Sequence, residues 1–302
     1  MGSPASTDTK TSTTKPNRRP TARRLAVALG LAVLAGGSYG LWKFVEPHVV
    51  AGLHYKFDAK EINVTPSPPW IHSDVKAEAL KQAGIDEQLS VLEPGLAERI
   101  AGAFVLHPWV AKVVRVIKRP SAGVDVELIY RRPVCMVEVP GGLFPVDNQG
   151  VLLPTADFTT DEAVHYPRLS NIQTVTEGPM GTTWQDARVL GAAKISSVLL
   201  EDWESLKLYK IVPVAAAGPA AAVEYELYTR RQTRVLWGHA ESNTAAGEPA
   251  AEEKLAQLKK YATPREGLDR PVPQDIDVRR PGDLVATPRT AALPSEDAIK
   301  KQ

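Results

Sequence analysis

The pattern most suggestive of chemistry in this sequence is residues 36–40, GGSYG, which has the spacing of a hydrolase nucleophile motif. Such a serine reacts only where a strand, a sharp turn and a helix expose its hydroxyl. Here Ser38 lies inside an uncharged run, Leu25–Trp42, with the composition of one lipid-embedded helix. The pattern therefore predicts no hydrolase, although Gly36 and Gly40 leave open a contact between two such helices.

The histidines, acids and single cysteine show no arrangement typical of a metal or cofactor site. None of the six histidines belongs to a metal-ligand motif, and no glycine-rich phosphate loop precedes a lysine. Paired acids such as Asp161-Glu162 are sequence neighbours, so they point to different sides of a helix or strand. Cys135 is the only cysteine, which excludes an internal disulfide, and its place in an apolar strand is typical of an inert buried thiol. We therefore expect no cofactor, no metal and no enzymatic activity.

Arg279 and Arg280 are the side chains best suited to bind another protein. A guanidinium forms paired hydrogen bonds with a carboxylate, and arginine is enriched at protein interfaces. In a terminal strand near the open end of a sheet, both are placed to bind acids of a partner. Solubilising charge on an edge strand is an equal alternative. Trp109, which follows a helix-ending proline, is expected to fill the local core rather than bind a partner.

A single apolar segment, residues 25–45, is predicted to cross a membrane. A run of about 21 residues spans a hydrocarbon core of roughly 30 Å as a helix. A cleaved signal peptide is the alternative, but the run is longer than the usual apolar core of such a peptide. Its apolar and interfacial aromatic residues, which we expect to anchor the chain in lipid, include Leu25, Leu29, Leu34, Tyr39 and Trp42.

The charge distribution predicts which side of the membrane the rest of the chain occupies. The whole chain has a net charge of only +1, but residues 1–24 carry six basic residues against one acid. Because basic flanks stay in the cytoplasm, we expect the N terminus inside and the chain beyond residue 46 outside. The tail, residues 1–24, lacks the apolar residues of a core and is expected to be disordered. Residues 46–59 are expected to form a linker.

The external part is predicted to be α+β, with two folded units. In residues 60–131, apolar spacing predicts two short helices, the first capped by Ser73 or Asp74, and then a β-hairpin. Residues 132–288 predict a larger mixed sheet of short strands with two flanking helices. Its last strand region is expected from Ile276 to about Thr287. Residues 289–302 are expected to be disordered.

Several short motifs occur in an order and spacing typical of one protein family. FVLHPWV at 104–110 is similar to that family's helix end and entry into a hairpin, and YRRPV at 130–134 to its step between domains. VDNQGVL at 146–152 is like its strand pair around a glycine turn. The C-terminal motifs are RVLWG at 234–238, KL at 254–255 and DIDVR at 275–279. Over residues 25–290, the chain resembles the FtsQ/DivIB family of bacterial cell-division proteins.

The resemblance implies a POTRA-like domain at 60–131 and an FtsQ-type β domain at 132–288. It implies a non-enzymatic scaffold in the inner membrane at the division site, with its folded part in the periplasm. The implied partners are membrane proteins resembling FtsB and FtsL, one of which adds a strand to the edge of the β domain. The matching region for that contact contains Arg279, Arg280, Leu284, Val285 and Ala286.

Two positions depart from the family pattern. Pro-Ser-Pro-Pro-Trp at 66–70 occupies the region of the family's first strand signature, and Arg280 stands where many relatives carry an aromatic residue. An envelope chaperone or secretion component is the alternative function, because such proteins also use POTRA units to receive strands. Those proteins usually carry tandem units or a membrane barrel, and this sequence predicts one unit and no series of long amphipathic strands.

Overall fold

One long helix precedes two lobes in the computed structural model. The first lobe is residues 55–131 and the second is residues 132–289. The lobes are mixed α and β, in agreement with the predicted class. The residues that the structure describes are 19–50, 55–85, 88–120, 123–175, 178–214, 223–241, 247–282 and 284–289.

Helix α1, Arg19–Val50, contains the predicted membrane segment. Its stretch Arg24–Val45 has a mean hydropathy of 1.7 with no part buried, so it is long and apolar enough to cross a membrane. The five predicted lipid-facing side chains are all exposed. Ser38 donates its hydroxyl to the Ala35 carbonyl within the helix, at 3.0 Å, so it is not on a strand-to-helix turn.

The helix begins earlier than the sequence predicts. Residues 19–24 were expected to belong to a disordered tail, but the helix already includes them. Helical backbone there satisfies its own hydrogen bonds, so the basic residues before the apolar run do not end it. The rest of the predicted N-terminal tail, residues 1–18, lies outside the described residues.

The first lobe packs two helices against a three-stranded sheet. The sheet order is β2-β5-β4, with β2 parallel and β4 antiparallel to β5. The β4–β5 hairpin agrees with its prediction, and Asp74 caps α2 by accepting the Ala77 N–H at 3.0 Å. The elements are β1 (Lys56–Phe57), β2 (Ile62–Val64), α2 (Val75–Gln82), β3 (Leu89–Ser90), α3 (Leu96–Val105), β4 (Val110–Lys118) and β5 (Val124–Tyr130).

Strand structure begins sooner in this lobe than the sequence indicates. β1 lies inside the range predicted as linker, and β2 precedes the proline-rich residues 66–70 instead of being replaced by them. Ile62 is fully buried in the lobe core, and β2 pairs with β5 over three residues. Such short strands leave too few residues for an alternating pattern to be read from sequence.

The second lobe is an eight-stranded sheet with two helices on one face. Its order is β13-β12-β11-β10-β9-β8-β6-β7. Trp184, Trp203 and Trp237 lie in the core between the sheet and the helices. The elements are β6 (Pro133–Val139), β7 (Gly142–Asp147), α4 (Thr160–Ala163), β8 (Arg168–Leu169), α5 (Ala187–Leu199), β9 (Leu208–Val214), β10 (Glu224–Thr229), β11 (Arg234–His239), α6 (Ala251–Ala262), β12 (Gln274–Asp277) and β13 (Val285–Pro288).

Asp186 begins helix α5. Its carboxylate accepts the backbone N–H of Arg188 at 2.9 Å and the hydroxyl of Thr174 at 2.6 Å. Burial acts to raise the pKa of Asp186, but hydrogen bonds from Arg188 and Thr174 outweigh it and hold the pKa at about 2. The ionised carboxylate is therefore the form that supports the start of this helix.

The cap predicts a specific loss of stability in acid. The pKa of Asp186 in the folded state lies below its ordinary value of 3.8. The stability that its ionised carboxylate contributes to the fold is therefore present above pH 3.8 and is lost as the pH falls towards 2. We expect Asp186→Asn to be less stable than wild type at pH 7, with a smaller further loss between pH 4 and pH 2. Urea unfolding of the detergent-solubilised protein at each pH measures this. If the free energy of unfolding falls equally in wild type and Asp186→Asn between pH 4 and pH 2, the ionised Asp186 carboxylate does not stabilise the start of α5.

One buried carboxylate joins the two lobes. Asp157 is 4% exposed and belongs to the second lobe. It accepts hydrogen bonds from first-lobe groups: the Trp109 indole N–H and the Ser73 N–H at 2.6 Å each, and the His72 N–H at 3.0 Å. Trp109 is fully buried, and so fills the core as predicted. The Arg131 guanidinium adds a second link, 2.7 Å from the Asp147 carboxylate.

Candidate partner-binding edge

The predicted terminal strand region is two strands rather than one. β12 ends at Asp277, and β13 runs back antiparallel to it, with Asp277 opposite Val285 and Ile276 opposite Ala286. Arg279 and Arg280 therefore follow β12 and lie in the connection to β13. The prediction that both arginines belong to a strand is wrong, since β12 ends two residues earlier.

β13 forms one edge of the eight-stranded sheet. The N–H and C=O groups of its successive residues point alternately towards β12 and away from the sheet. The Arg289 N–H donates to the Pro273 carbonyl at 2.8 Å, on the β12 side. Because the direction alternates along an antiparallel strand, Val285 and Thr287 also bond towards β12. The peptide groups of Leu284 and Ala286 then point away from the sheet, where another strand can reach them.

The side chains of the three predicted strand residues divide between two faces. Leu284 and Ala286 are partly buried and pack against the core of the second lobe. Val285 is 60% exposed on the other face. Leu284 and Ala286 thus contribute outward backbone groups to the edge, and only Val285 contributes an exposed side chain.

Arg279 is bound within its own chain. Its guanidinium lies 2.9 Å from Asp277 Oδ2 and 3.5 Å from Glu224 Oε2. Burial acts to raise the pKa of Asp277, but hydrogen bonds from Arg279 outweigh it and lower that pKa. The expectation that both arginines are available to a partner's acids is therefore corrected: Arg280 is exposed and makes no ion pair with any described residue, whereas Arg279 is already paired.

Sequence reasoning missed the two acids that hold Arg279. The pairing with Asp277 could have been predicted, because Asp277 and Arg279 are two positions apart and such residues project to the same face of an extended chain. Glu224 was not, because it comes from a distant strand, β10. A cavity of about 330 Å³ beside the edge was also missed; Leu284 lines it together with Tyr261, Gln257 and Arg265 of α6 and the turn that follows.

The second half of the opposite edge, β7 from Pro145 to Asp147, is covered by the chain itself. Leu153 donates its N–H to the Pro145 carbonyl of β7 at 2.9 Å, and Val146 bridges to Leu152. Pro145 also has no N–H to offer. In the described part of the second lobe, β13 is therefore the edge best able to accept a strand.

The described residues offer no metal site. No group of three or more histidine, cysteine, aspartate or glutamate side chains among them is arranged to hold an ion. Cys135 is fully buried, and burial raises the pKa of its thiol to about 12. That agrees with the predicted inert thiol, because the thiolate is the reactive form.

No protein-family model matches this chain, and no curated protein matches it.

Proposed function

We propose that this chain is a non-enzymatic scaffold of the bacterial division machinery, anchored by α1 and binding a partner by strand addition at β13. The observation that carries the proposal is the outward-facing backbone of Leu284 and Ala286 on an uncovered edge. Backbone bonds along such an edge supply affinity, and pockets for alternate side chains supply selectivity. The order of motifs, which resembles that of FtsQ/DivIB proteins, supports the biological setting.

The proposed orientation places the N terminus in the cytoplasm and both lobes in the periplasm. The basic residues before Leu25 support it, because such flanks are retained on the cytoplasmic side. In this arrangement the first lobe is the POTRA-like domain, and the second is the FtsQ-type β domain. The inner membrane at the division site is the proposed location.

The proposed partners are membrane division proteins resembling FtsB and FtsL. A strand added at β13 would place alternate side chains towards the cavity beside Leu284. Exposed Arg280 lies just before the edge and is the cation left to meet a carboxylate of that strand. Arg279 has a supporting role, because its pairing with Asp277 fixes the chain where β12 ends.

The alternative of an envelope chaperone requires the first lobe to receive strands at an edge of its own sheet, of which β4 is the longer and β2 the shorter. The pairing of β4 with β5 shifts register twice, around Ala111 and Val114. Bulges and lysines on an edge strand discourage pairing with another chain. The structure therefore gives the alternative less support than the scaffold proposal.

The edge is tested by Ala286→Pro. Proline removes the outward N–H of this position but leaves the bonds of Val285 and Thr287 to β12, and Pro288 already occupies an equivalent outward position. We expect at least tenfold less of the FtsB-like and FtsL-like proteins to co-purify from solubilised membranes, since losing backbone pairing costs about 1.4 kcal/mol or more.

Thr287→Ala is the matched control, because it alters an exposed side chain of β13 and no outward backbone group. It should retain the partners. A fluorescent fusion of the wild type should form a band at midcell. Undiminished co-purification with Ala286→Pro would refute strand addition at this edge, and uniform peripheral fluorescence would refute the division role.

A further inference from the structure

Strand β4 concentrates the positive charge of the first lobe. Lys112, Arg115, Lys118 and Arg119 occur within residues 110–119, and this stretch contains no acid. The first three are exposed. We call these four residues, together with the exposed apolar side chains between them, the β4 strip; its apolar members are Val114 (43% exposed) and Ile117 (44% exposed).

The bulges of β4 produce this spacing. In its pairing with β5, Lys112 lies opposite Ile129, Val113 opposite Leu128 and Arg115 opposite Glu127, so Val114 is left without a partner. Lys112, Arg115 and Lys118 are three positions apart, and a regular strand would place successive members of this series on opposite faces of the sheet. The irregularity exposes both basic and apolar side chains along an edge that is poorly suited to pairing with a strand.

Part of the charge of the β4 strip is compensated within the lobe. Arg115 lies 2.5 Å from the Glu127 carboxylate, and Arg119 lies 3.2 Å from that of Asp125. Lys118 donates to the carbonyl of Glu93, at 2.9 Å, and so keeps its full charge. Lys112 has no ion-pair partner among the described residues. Four cations and two acids leave a net charge of +2 along the strip.

The β4 strip ends beside the N-terminal segment of the lobe, which leads back to α1. The Arg119 guanidinium donates to the Glu61 carbonyl at 2.6 Å, so the end of the hairpin lies beside the N-terminal segment of the lobe. α1 ends at Val50, and the described chain resumes at Tyr55. Five residue steps reach at most about 18 Å. The basic end of the strip is therefore tethered, through Glu61, eleven residues beyond the end of α1.

We propose that the β4 strip lies on the membrane surface and binds anionic lipid headgroups, holding the first lobe against the bilayer. Basic side chains near a surface attract lipid phosphates, and small apolar side chains between them enter the interface. The positive charge selects an anionic lipid rather than a zwitterionic one. This inference goes beyond the scaffold proposal and depends only on α1 crossing a membrane.

A probe on the β4 strip tests this contact in the full chain. Cys135 is fully buried, so Val114→Cys provides a single accessible thiol for an environment-sensitive fluorophore. The labelled protein is placed in phosphatidylcholine vesicles with or without phosphatidylglycerol. We expect blue-shifted emission and about threefold weaker quenching by acrylamide only with phosphatidylglycerol. Lys112→Glu with Lys118→Glu should abolish both effects, and Lys112→Arg with Lys118→Arg should retain them.

Two controls make the result decisive. The same probe at Val272→Cys, an exposed position of the second lobe, should report the same emission in both vesicles. Ala286→Pro should leave the β4 signal unchanged, so a failure of the scaffold proposal is distinguishable from a failure of this one. Equal emission of the Val114 probe in both vesicles, or a blue shift that survives charge reversal, would overturn the lipid contact.

Discussion

Replacing Glu248 with alanine is expected to lower the free energy of unfolding by about 3–5 kcal/mol, because it leaves a buried lysine without its counter-charge. Lys254 is 1% exposed, and its ammonium lies 2.5 Å from Glu248 Oε1. Burial lowers the pKa of Lys254, and the hydrogen bond that its ammonium donates to Glu248 opposes that change. The Glu248 carboxylate also accepts the backbone N–H of His239 at 2.9 Å, so its loss frees the end of β11.

The same pair explains why residue 238 is glycine. Gly238 has a φ of +84°, and a Cβ there would lie 2.1 Å from Glu248 Oε1. The ion pair, this glycine and the start of α6 therefore form one packed unit behind the sheet that carries the candidate edge.

Chemical denaturation of the detergent-solubilised protein measures the effect of Glu248→Ala. Glu241→Ala is the control, since Glu241 pairs with Lys194 on the exposed surface and should leave the unfolding midpoint unchanged. The double variant Glu248→Ala/Lys254→Leu removes both charges and should regain part of the lost stability. If Glu248→Ala unfolds at the wild-type denaturant concentration, the buried pair is not a major source of stability.

Asp157→Ala is expected to lower the free energy of unfolding by about 3 kcal/mol, because it leaves the buried Trp109 indole and two part-buried backbone N–H groups without their acceptor. The Trp109 indole and the two backbone N–H groups of His72 and Ser73 all bond to this carboxylate. Each unpaired buried donor costs about 1–3 kcal/mol. The loss is expected at the junction, so the lobes should separate before either core unfolds.

Hydrogen exchange and denaturant titration together measure this separation. In Asp157→Ala, the amides of His72 and Ser73 should exchange faster, while those of β9 and β10 keep their wild-type protection. Asp161→Ala is the matched control, because Asp161 is exposed nearby on the same lobe. Wild-type exchange at His72 and Ser73 in the Asp157 variant would show that the junction does not depend on the carboxylate.

Sequence predicted the elements that depend on nearby residues. The apolar helix follows from an uncharged run, and the β4–β5 hairpin follows from two alternating segments with a short connection. The cap at Asp74 and the burial of Cys135 are also local properties. The candidate edge was predicted at the right end of the chain, since Leu284, Val285 and Ala286 do lie at or beside β13. Its role in partner binding stays a prediction.

The roles of individual side chains at the edge required the tertiary structure. Arg279 and Arg280 are adjacent and chemically identical, yet one is paired with Asp277 and Glu224 and the other is exposed. That difference depends on where β12 ends and on the position of β10, which a one-dimensional pattern does not encode. A turn of a few residues then decides that β13 folds back along β12 and directs Ala286 outward.

The sequence by itself determined an apolar helix, a hairpin and a mixed α and β chain, because hydropathy and alternation act over a few neighbouring residues. Only the tertiary structure decided that Asp157 meets His72 across 85 positions, that Glu248 neutralises Lys254 in the interior, and which sheet edge stays uncovered. Those outcomes depend on strand register and on the packing of distant segments, where a shift of one residue exchanges inward and outward groups.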